Sequence, residues 1–258
     1  MIKILASDGM EKGAVAALEA KGCQVDQQFY DPEALKEAVK NYDVLVVRSA
    51  TKVRAPHIDA AKEAGKLKLV IRGGVGVDNI DVKYAEANGI TVRNTPRASS
   101  QSVAELAMGH MFACARFLSI AGHTMREDKW EKKAYAKGIE LQGKTLGIIG
   151  FGRIGQHLGV MAKAIGMKVV AFDIFHIPGI EEQLGINYVE MDELLAGLES
   201  GKVRAAGLDV YASEPAQNKA LYSHPMVSCT PHIGASTVEA QKRIGQEIVD
   251  IITKQFAL

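Results

Sequence analysis

The sequence predicts an α/β protein whose parallel sheets are covered by helices, and two patterns indicate this class. In the first part of the chain, short apolar runs alternate with segments of helical spacing, beginning with the run Ile2–Ala6. A second alternation begins at the run Thr145–Ile149. Alternation of this kind builds βαβ units, whose strands lie in a parallel sheet with helices on both faces.

The individual elements follow from the spacing of their apolar residues. In the first series we expect strands at 2–6, 23–29, 44–47, 67–72 and 90–93, helices at 10–21, 32–40 and 58–66, and a short helix ending near Asn88. In the second series we expect strands at 145–149, 168–172, 187–189, 205–210 and 227–230, a helix at 155–165, and a further helix in the first half of the stretch 191–210.

Two further helical segments stand outside these series. Ser99–Trp130 is predicted as one long helical stretch with a break near Gly122. Its small residues allow close packing, so it is either a bridge or subunit contact or else a buried core helix. The end of the chain predicts an amphipathic helix, with Ser236 and Glu239 in capping-box spacing at its start.

Composition excludes several classes of function. The net charge of the 258 residues is +1, which gives no sign of nucleic-acid or membrane-surface binding. The three cysteines are far apart and lack metal-ligand spacing, so they read as reduced thiols and no metal site is expected. The N-terminal stretch MIKILASDG is strand-like and does not resemble a signal peptide. We therefore expect a cytoplasmic protein without a membrane span.

A glycine motif in the second series predicts a dinucleotide site. In TLGIIGFGRIG, Gly150, Gly152 and Gly155 follow a strand and open a helix in G-x-G-x-x-G order. Gly150 permits a tight turn, Gly152 lets a pyrophosphate approach the backbone, and Gly155 lets the helix pack on the strand. Asp173 ends the next strand, where a carboxylate accepts hydrogen bonds from a ribose and repels a 2′-phosphate. The motif therefore favours NAD over NADP.

Two other stretches contain candidate chemistry. The loop RGGVGVDNID has closely spaced amides at Gly73, Gly74 and Gly76, which predict either a small-anion site or a simple tight turn. His232, in TPHIGAST, follows an apolar strand and suits proton exchange with a hydroxyl or carbonyl oxygen. Glu214, in YASEP, is its candidate partner. Considered separately, His232 is also consistent with a structural histidine, and Glu214 with a loop charge.

These motifs together resemble the NAD-dependent D-2-hydroxyacid dehydrogenase family. GFGRIG with Asp173, GLDVYASEP and PHIGAST carry the resemblance. VVRSATKV, RGGVGVDNID, DKWEKK and PHIGASTVEAQ are most similar to the D-3-phosphoglycerate dehydrogenase branch, which acts in serine biosynthesis.

The resemblance implies two Rossmann-like domains, one that binds the substrate and one that binds NAD. Residues 1–97 plus 236–258 would form a discontinuous substrate-binding domain, and residues 98–235 a shortened NAD-binding domain. Hydride would pass between NAD and a D-2-hydroxy acid, with His232 as general acid/base and Glu214 as its partner. The implied cofactor contacts are Gly150, Gly152, Arg153, Ile154, Gly155, Asp173, Asp209 and Gly234. The implied substrate contacts are Arg48, Ser49, Gly73, Gly74, Val75 and Gly76. A homodimer through Ser99–Trp130 is also implied.

The chain departs from the family pattern at one point. Members carry two further strand–helix units between the motifs MDELL and LESGKVRAAGLDV, roughly 60–70 residues at the usual size of such units. Here only Ala196 and Gly197 separate Leu195 from Leu198. The absent segment holds the family's catalytic arginine, and Arg204 is no substitute for it.

Three readings of the shortened chain follow: an enzyme with impaired turnover, a non-catalytic NAD-binding or dimeric scaffold relative, or a chain written without an internal segment. If the shortened domain folds, the crossover from Glu190 to Arg204 is long enough to place the strand carrying Asp209 in the slot of a missing strand. Alternatively, that face of the sheet would lack cover.

Overall fold

The structure of the protein is a computed structural model that describes residues 1–189, 206–211, 214–217, 219, 223 and 227–258. The chain divides into two compact units, residues 1–99 with 235–258 and residues 100–234. The predicted crossover 190–204, including the junction at Leu195–Leu198, lies outside the described residues, as does Ala205.

The first unit contains a five-stranded parallel sheet in the order β2-β1-β3-β4-β5, the flavodoxin-like order of doubly wound folds. Its strands are β1 (Lys3–Ala6), β2 (Gln24–Asp26), β3 (Val44–Val47), β4 (Leu69–Arg72) and β5 (Thr91–Asn94). The central strand β3 reads Val-Leu-Val-Val and is buried along its whole length. Such a continuous apolar run is what a parallel strand covered on both faces requires.

Helices cover both faces of this sheet. They are α1 (Lys12–Ala20), α2 (Pro32–Ala38), α3 (Ala55–Ala64), α4 (Val82–Ala87) and, from the end of the chain, α9 (Val238–Phe256), with a 3-10 turn at Val39–Asn41. Alternate strand residues enter separate cores: Leu45 packs with α2 and α3, whereas Val44 packs with α1 and α9. The return of α9 explains why this unit is discontinuous in sequence.

The start of α9 differs from the prediction. Thr237, not Ser236, is the N-cap residue, and its side chain accepts a hydrogen bond from the amide of Ala240 at 3.1 Å. The predicted capping box of Ser236 with Glu239 is therefore wrong. Both hydroxyl residues can cap a helix, and sequence spacing does not decide between neighbours.

The second unit begins with α5 (Ser100–Arg116) and α6 (Leu118–Arg126). The break between them falls at Phe117, whose φ of 58° is left-handed, so the predicted break near Gly122 is wrong. In the described part of the chain no single helix is long and apolar enough to cross a membrane. α5 and α6 together meet that length and composition test, but the pair is bent by 69°.

The glycine motif lies in a three-stranded parallel sheet of this unit. The sheet has the order β6-β7-β8, and its strands are β6 (Thr145–Ile149), β7 (Lys168–Phe172) and β8 (Asn187–Tyr188). The helices α7 (Arg153–Ala164) and α8 (Ile180–Leu184) follow β6 and β7. Phe151, fully buried, anchors the core that these elements share with Met108 of α5.

The last two strands form a separate parallel pair. They are β9 (Ala206–Leu208) and β10 (Val227–Cys229), which pair with each other. Among the described residues, β6 pairs with β7 alone, so the expectation that the strand before Asp209 fills the slot beside β6 is wrong. Instead α5 packs against α7 and also against β9 and β10, and thereby joins the two sheets.

Candidate active site

The glycine turn after β6 combines two different constraints. Gly150 has a φ of 86°, which side-chain-bearing residues rarely adopt. A Cβ at Gly155 would lie 2.4 Å from the carbonyl oxygen of Gly150, so the close approach of α7 to the turn excludes any side chain there. At Gly152 a Cβ would meet nothing within 4 Å. A Cβ at Gly150 would likewise meet nothing within 4 Å, so Gly150 and Gly152 both border open space in which a ligand can approach the backbone.

The N-terminus of α7 faces this turn. Gly152 is its N-cap residue, and among the residues described no side chain caps the helix. The helix begins at Arg153, two residues before the predicted start, so Arg153 and Ile154 lie in its first turn. First-turn amides without an internal partner and the positive end of the helix dipole form an anion site. These features fit the pyrophosphate of a dinucleotide.

Asp173 is bound to the same turn. Its carboxylate accepts hydrogen bonds from the amide of Phe175 at 3.0 Å and from the amide of Phe151 at 2.6 Å. These two bonds hold the pKa of Asp173 below its ordinary value, so the group is an anion at neutral pH. A carboxylate has about four acceptor positions, which leaves room for two ribose hydroxyls. Ile174 and Phe175 beside it are 79% and 75% exposed and offer an apolar surface.

His232 and Glu214 lie together in the second unit. His232 Nδ1 is 2.9 Å from Glu214 Oε2, and the two side chains are 40% and 39% exposed. They line a cavity of about 450 Å³, together with Tyr211, Cys229, Thr230 and neighbouring loop residues. The contact leaves Nε2 of His232 as the ring nitrogen that can exchange a proton with a substrate oxygen.

Asp209 holds the loop that carries His232. Its carboxylate accepts hydrogen bonds from the amides of Ile233 and Gly234, each at 2.8 Å, and from the Thr230 hydroxyl at 2.6 Å. Burial raises the pKa of Asp209, but these three donors and the nearby His232 outweigh burial, and the pKa lies below its ordinary value. Asp209 therefore fixes the backbone beside His232, where φ is left-handed at 53°.

The predicted substrate contacts lie in the first unit. The amides of Gly73 and Gly74 already donate to the carbonyls of Val47 and Arg72, at 2.8 and 2.9 Å. Of the three amides predicted to bind an anion, those of Gly73 and Gly74 are thus already bonded, and that of Gly76 remains as the candidate donor. Val75, 39% exposed, accepts a bond from the Asn94 side chain through its carbonyl, and Ser49 is exposed.

Two arginines flank this loop instead. The Arg72 guanidinium lies over Gly74, where an added Cβ would overlap it, and Cγ of Arg48 lies 3.8 Å from a Cβ built on Gly73. Burial lowers the pKa of Arg72, and Arg48 lowers it further, whereas Asp78 and Asp8 oppose that shift. In the part of the chain that the structure describes, the buried Nε of Arg72 has no hydrogen-bond partner.

Sequence reasoning selected Arg48 but not Arg72 or Lys242. Lys242 lines a cavity of about 390 Å³ with Arg48, Glu11 and the start of α9. No motif pointed to Lys242, because it reaches this cavity only through the return of α9 to the first sheet. Arg72 could have been found, since it ends a strand directly before the glycine-rich loop.

Fold and site together define an α/β protein with a glycine turn suited to a nucleotide and a His–Glu contact beside a cavity. A sequence profile described as "D-isomer specific 2-hydroxyacid dehydrogenase, catalytic domain" matches residues 4–257. The chain belongs to this family. NAD is the family's cofactor, and the residues around Gly152 and Asp173 fit it.

Two curated relatives and one solved structure show the range of the likeness. The hydroxypyruvate reductase of Thermotoga maritima is 40% identical over 306 positions, which cover 99% of each chain. The D-3-phosphoglycerate dehydrogenase of Methanocaldococcus jannaschii is 38% identical over 304 positions, which cover 98% of this chain and 57% of that protein. An NAD-binding D-isomer specific 2-hydroxyacid dehydrogenase of Polaromonas sp. has the same fold, with a TM-score of 0.82, 22% identity and coverage of 100% of this chain and 97% of that one.

The length of the first alignment exceeds the length of this chain. It has 306 positions against 258 residues, so at least 48 positions are gaps in this chain. That excess is smaller than the 60–70 residues expected from two strand–helix units. It is nevertheless compatible with an internal segment that this chain lacks.

Proposed function

We propose that the chain is a cytoplasmic NAD-dependent oxidoreductase that transfers a hydride between NAD and a D-2-hydroxy acid, with 3-phosphoglycerate and phosphohydroxypyruvate of serine biosynthesis as its substrate pair. The observation that carries this proposal is the His232–Glu214 contact of 2.9 Å in the unit that contains the glycine turn. In this proposal residues 1–97 with 236–258 bind the substrate, and residues 98–235 bind NAD.

In this proposal His232 is the general acid/base. When the hydroxy acid is oxidised, Nε2 of His232 accepts the hydroxyl proton as the C2–H bond breaks, and in reduction it returns that proton to the carbonyl oxygen. Glu214 accepts a hydrogen bond from Nδ1–H and stabilises the imidazolium that forms. Bound NAD supplies the hydride acceptor in one direction, and NADH the donor in the other.

The cofactor contacts follow from the glycine turn. The amides of Arg153, Ile154 and Gly155 at the start of α7 are proposed to bind the pyrophosphate, with Gly150 and Gly152 shaping the approach. Asp173 would accept the ribose hydroxyls, and the exposed side chains of Ile174 and Phe175 suit an adenine ring. Asp209 and Gly234 are proposed to lie near the nicotinamide.

A phosphorylated substrate is supported by cations in the first unit. A phosphorylated hydroxy acid carries both a carboxylate and a phosphate, and two arginines, Arg48 and Arg72, flank the Gly73–Gly76 loop. Arg48 shares its cavity with Lys242. Guanidinium groups bind both anions through paired hydrogen bonds. The relative from Methanocaldococcus is a phosphoglycerate dehydrogenase, whereas the one from Thermotoga is a hydroxypyruvate reductase.

A second candidate, a non-catalytic NAD-binding relative, is favoured by the missing arginine. The family resemblance places that arginine in the absent segment, and no arginine of this chain corresponds to it. We therefore expect turnover far below that of a complete enzyme.

Steady-state oxidation of NADH by phosphohydroxypyruvate and by hydroxypyruvate separates these functions. We expect slow turnover that favours the phosphorylated acid and falls at least about a hundredfold in His232→Ala. His123→Ala, at an exposed position of α6, is the matched control. Equal rates in wild type and His232→Ala would assign any residual activity elsewhere, and normal wild-type rates would refute the expected impairment.

The homodimer is proposed through the 99–130 stretch. α6 has no buried residue, and Leu118, Met125 and Trp130 are 57%, 53% and 80% exposed. Exposed apolar groups concentrated on one segment are typical of a subunit contact. Light scattering should give twice the chain mass, and Leu118→Glu should lower it to one chain.

A further inference from the structure

A chain of buried and half-buried hydrogen bonds links α5 to the loop that carries His232. His110 of α5 is 8% exposed, with Nδ1 2.7 Å from Ser228 Oγ and Nε2 3.0 Å from Thr230 Oγ1. The Thr230 hydroxyl continues to Asp209 Oδ1 at 2.6 Å. Gly207 permits this packing, because a Cβ there would lie 2.6 Å from Cβ of His110.

The protons in this chain can be assigned. Asp209 is a carboxylate and can only accept hydrogen bonds, so the Thr230 hydroxyl must donate its single hydrogen to Asp209. His110 Nε2 must then donate to Thr230 Oγ1. In the neutral ring, Nδ1 is therefore bare, and it accepts the proton of Ser228. Burial lowers the pKa of His110, although the charge of Asp209 opposes that shift, and this favours the neutral ring.

The chain ends on the backbone next to His232. Asp209 accepts from the amides of Ile233 and Gly234, the two residues that directly follow His232. The Tyr211 hydroxyl also donates to the Thr230 carbonyl at 3.0 Å. The orientation of the Asp209 carboxylate thus depends on Thr230, and that of Thr230 depends on His110.

We propose that His110, as the neutral Nε2–H tautomer, is a positioning residue for His232, acting through Thr230 and Asp209. His110 does not reach the cavity that His232 lines, so it has no direct part in proton transfer. The inference rests on the proposed function only for the role of His232. The tautomer and the hydrogen-bond chain are properties of the fold.

Nitrogen-15 NMR of histidine-labelled full-length protein tests the tautomer. At pH 7 we expect His110 to show a protonated Nε2 and a bare Nδ1, with His110→Gln identifying its signals. The titratable groups that face the ring or lie beside its partners are Asp209, Tyr211, His232, Cys114 and Cys229. A protonated Nδ1, or a charged ring at pH 7, would overturn the proposal, because Thr230 would then lack its assigned donor or Ser228 its acceptor.

Matched substitutions test the positioning role. His110→Gln keeps a donor for Thr230, whereas His110→Leu removes it. We expect Gln to preserve the amide shifts of Ile233 and Gly234 and the NMR titration of His232, and Leu to change all three. The Kd for NADH should rise about tenfold in His110→Leu and stay near the wild-type value in His110→Gln. His123→Leu on the surface is the control.

A second pair keeps the test decisive if His110→Leu does not fold. Thr230→Ser retains the linking hydroxyl, and Thr230→Val removes it with little change in shape. The proposal requires the Ser variant to match wild type and the Val variant to shift the amides of Ile233 and Gly234. It fails if Val leaves those shifts unchanged, or if Gln at 110 is as damaging as Leu. Absence of NADH binding by the wild type would refute the proposed function, while the NMR results would still decide the role of His110.

Discussion

Gly152 and Gly155 occupy the same turn but are glycines for different reasons. A Cβ at Gly155 would lie 2.4 Å from a backbone oxygen, whereas a Cβ at Gly152 would meet only open space. The φ of Gly152 is −69°, which lies outside the left-handed region that favours glycine. At residue scale, the fold therefore requires a glycine at position 155, and we propose that the ligand requires one at position 152.

We predict that Gly152→Ala and Gly155→Ala separate these roles. Gly155→Ala should lower the free energy of unfolding by more than about 2 kcal/mol, because backbone would have to move. Gly152→Ala should change it by less than about 0.5 kcal/mol and still weaken NADH binding. Urea unfolding and NADH titration measure the two effects. Equal stability losses, or full NADH affinity in Gly152→Ala, would contradict this assignment.

His110 predicts a pH dependence of stability. Its pKa in the folded protein lies below the ordinary 6.5, so just below pH 6.5 the unfolded chain binds the proton that the folded chain does not. The free energy of unfolding should therefore fall as pH drops below 6.5. His110→Gln should remove that part of the slope, and His123→Gln should leave it. Identical slopes in wild type and His110→Gln would refute the prediction.

The site could be predicted from the sequence only where its residues lie in local motifs. The glycine turn, Asp173 and the pair His232–Glu214 were found because short motifs contain them. His110 was not selected, because its partners Ser228 and Thr230 lie 118 and 120 residues away and only packing brings them together. The sequence left an anion site and a tight turn open for the amides of Gly73 and Gly74, because the acceptor of Gly73 is Val47 of the neighbouring strand, whereas Gly74 donates to Arg72 two residues earlier.

At the scale of elements, strands were predicted more reliably than helix ends. Buried parallel strands such as β3 are continuous apolar runs, which the sequence displays directly. The break at Phe117 carries no such signal, because a left-handed conformation at a non-glycine residue is imposed by tertiary packing. The separate pairing of β9 with β10 could not be predicted from the sequence either, because it depends on which strand edges come together in the fold.

Strand β6 provides the element-scale prediction. Ile148 is 6% exposed and packs in the core, whereas Ile149 on the opposite face is 62% exposed. Ile148→Thr should therefore cost about 2 kcal/mol of unfolding free energy, and Ile149→Thr less than about 0.5 kcal/mol. Urea unfolding of the two variants measures the difference. A similar loss at Ile149 would show that this face of β6 is covered after all.

At the scale of the whole molecule, the chain belongs to a known family and is shorter than the relative to which it aligns over 306 positions. The profile match over residues 4–257 establishes the family, and the 306 aligned positions exceed the 258 residues of the chain. The glycine turn, Asp173 and their hydrogen bonds lie before the junction, and the His232 loop with Asp209 lies after it. We therefore expect cofactor binding to be retained and turnover to be impaired.

Calorimetric titration of the full chain with NADH, and in parallel with NADPH, tests this account most directly. We predict saturable binding of one NADH per chain, and much weaker binding of NADPH, because Asp173 is an anion that repels a 2′-phosphate. No heat of binding with NADH at concentrations far above those that saturate ordinary dehydrogenases, or equal affinity for the two cofactors, would contradict it.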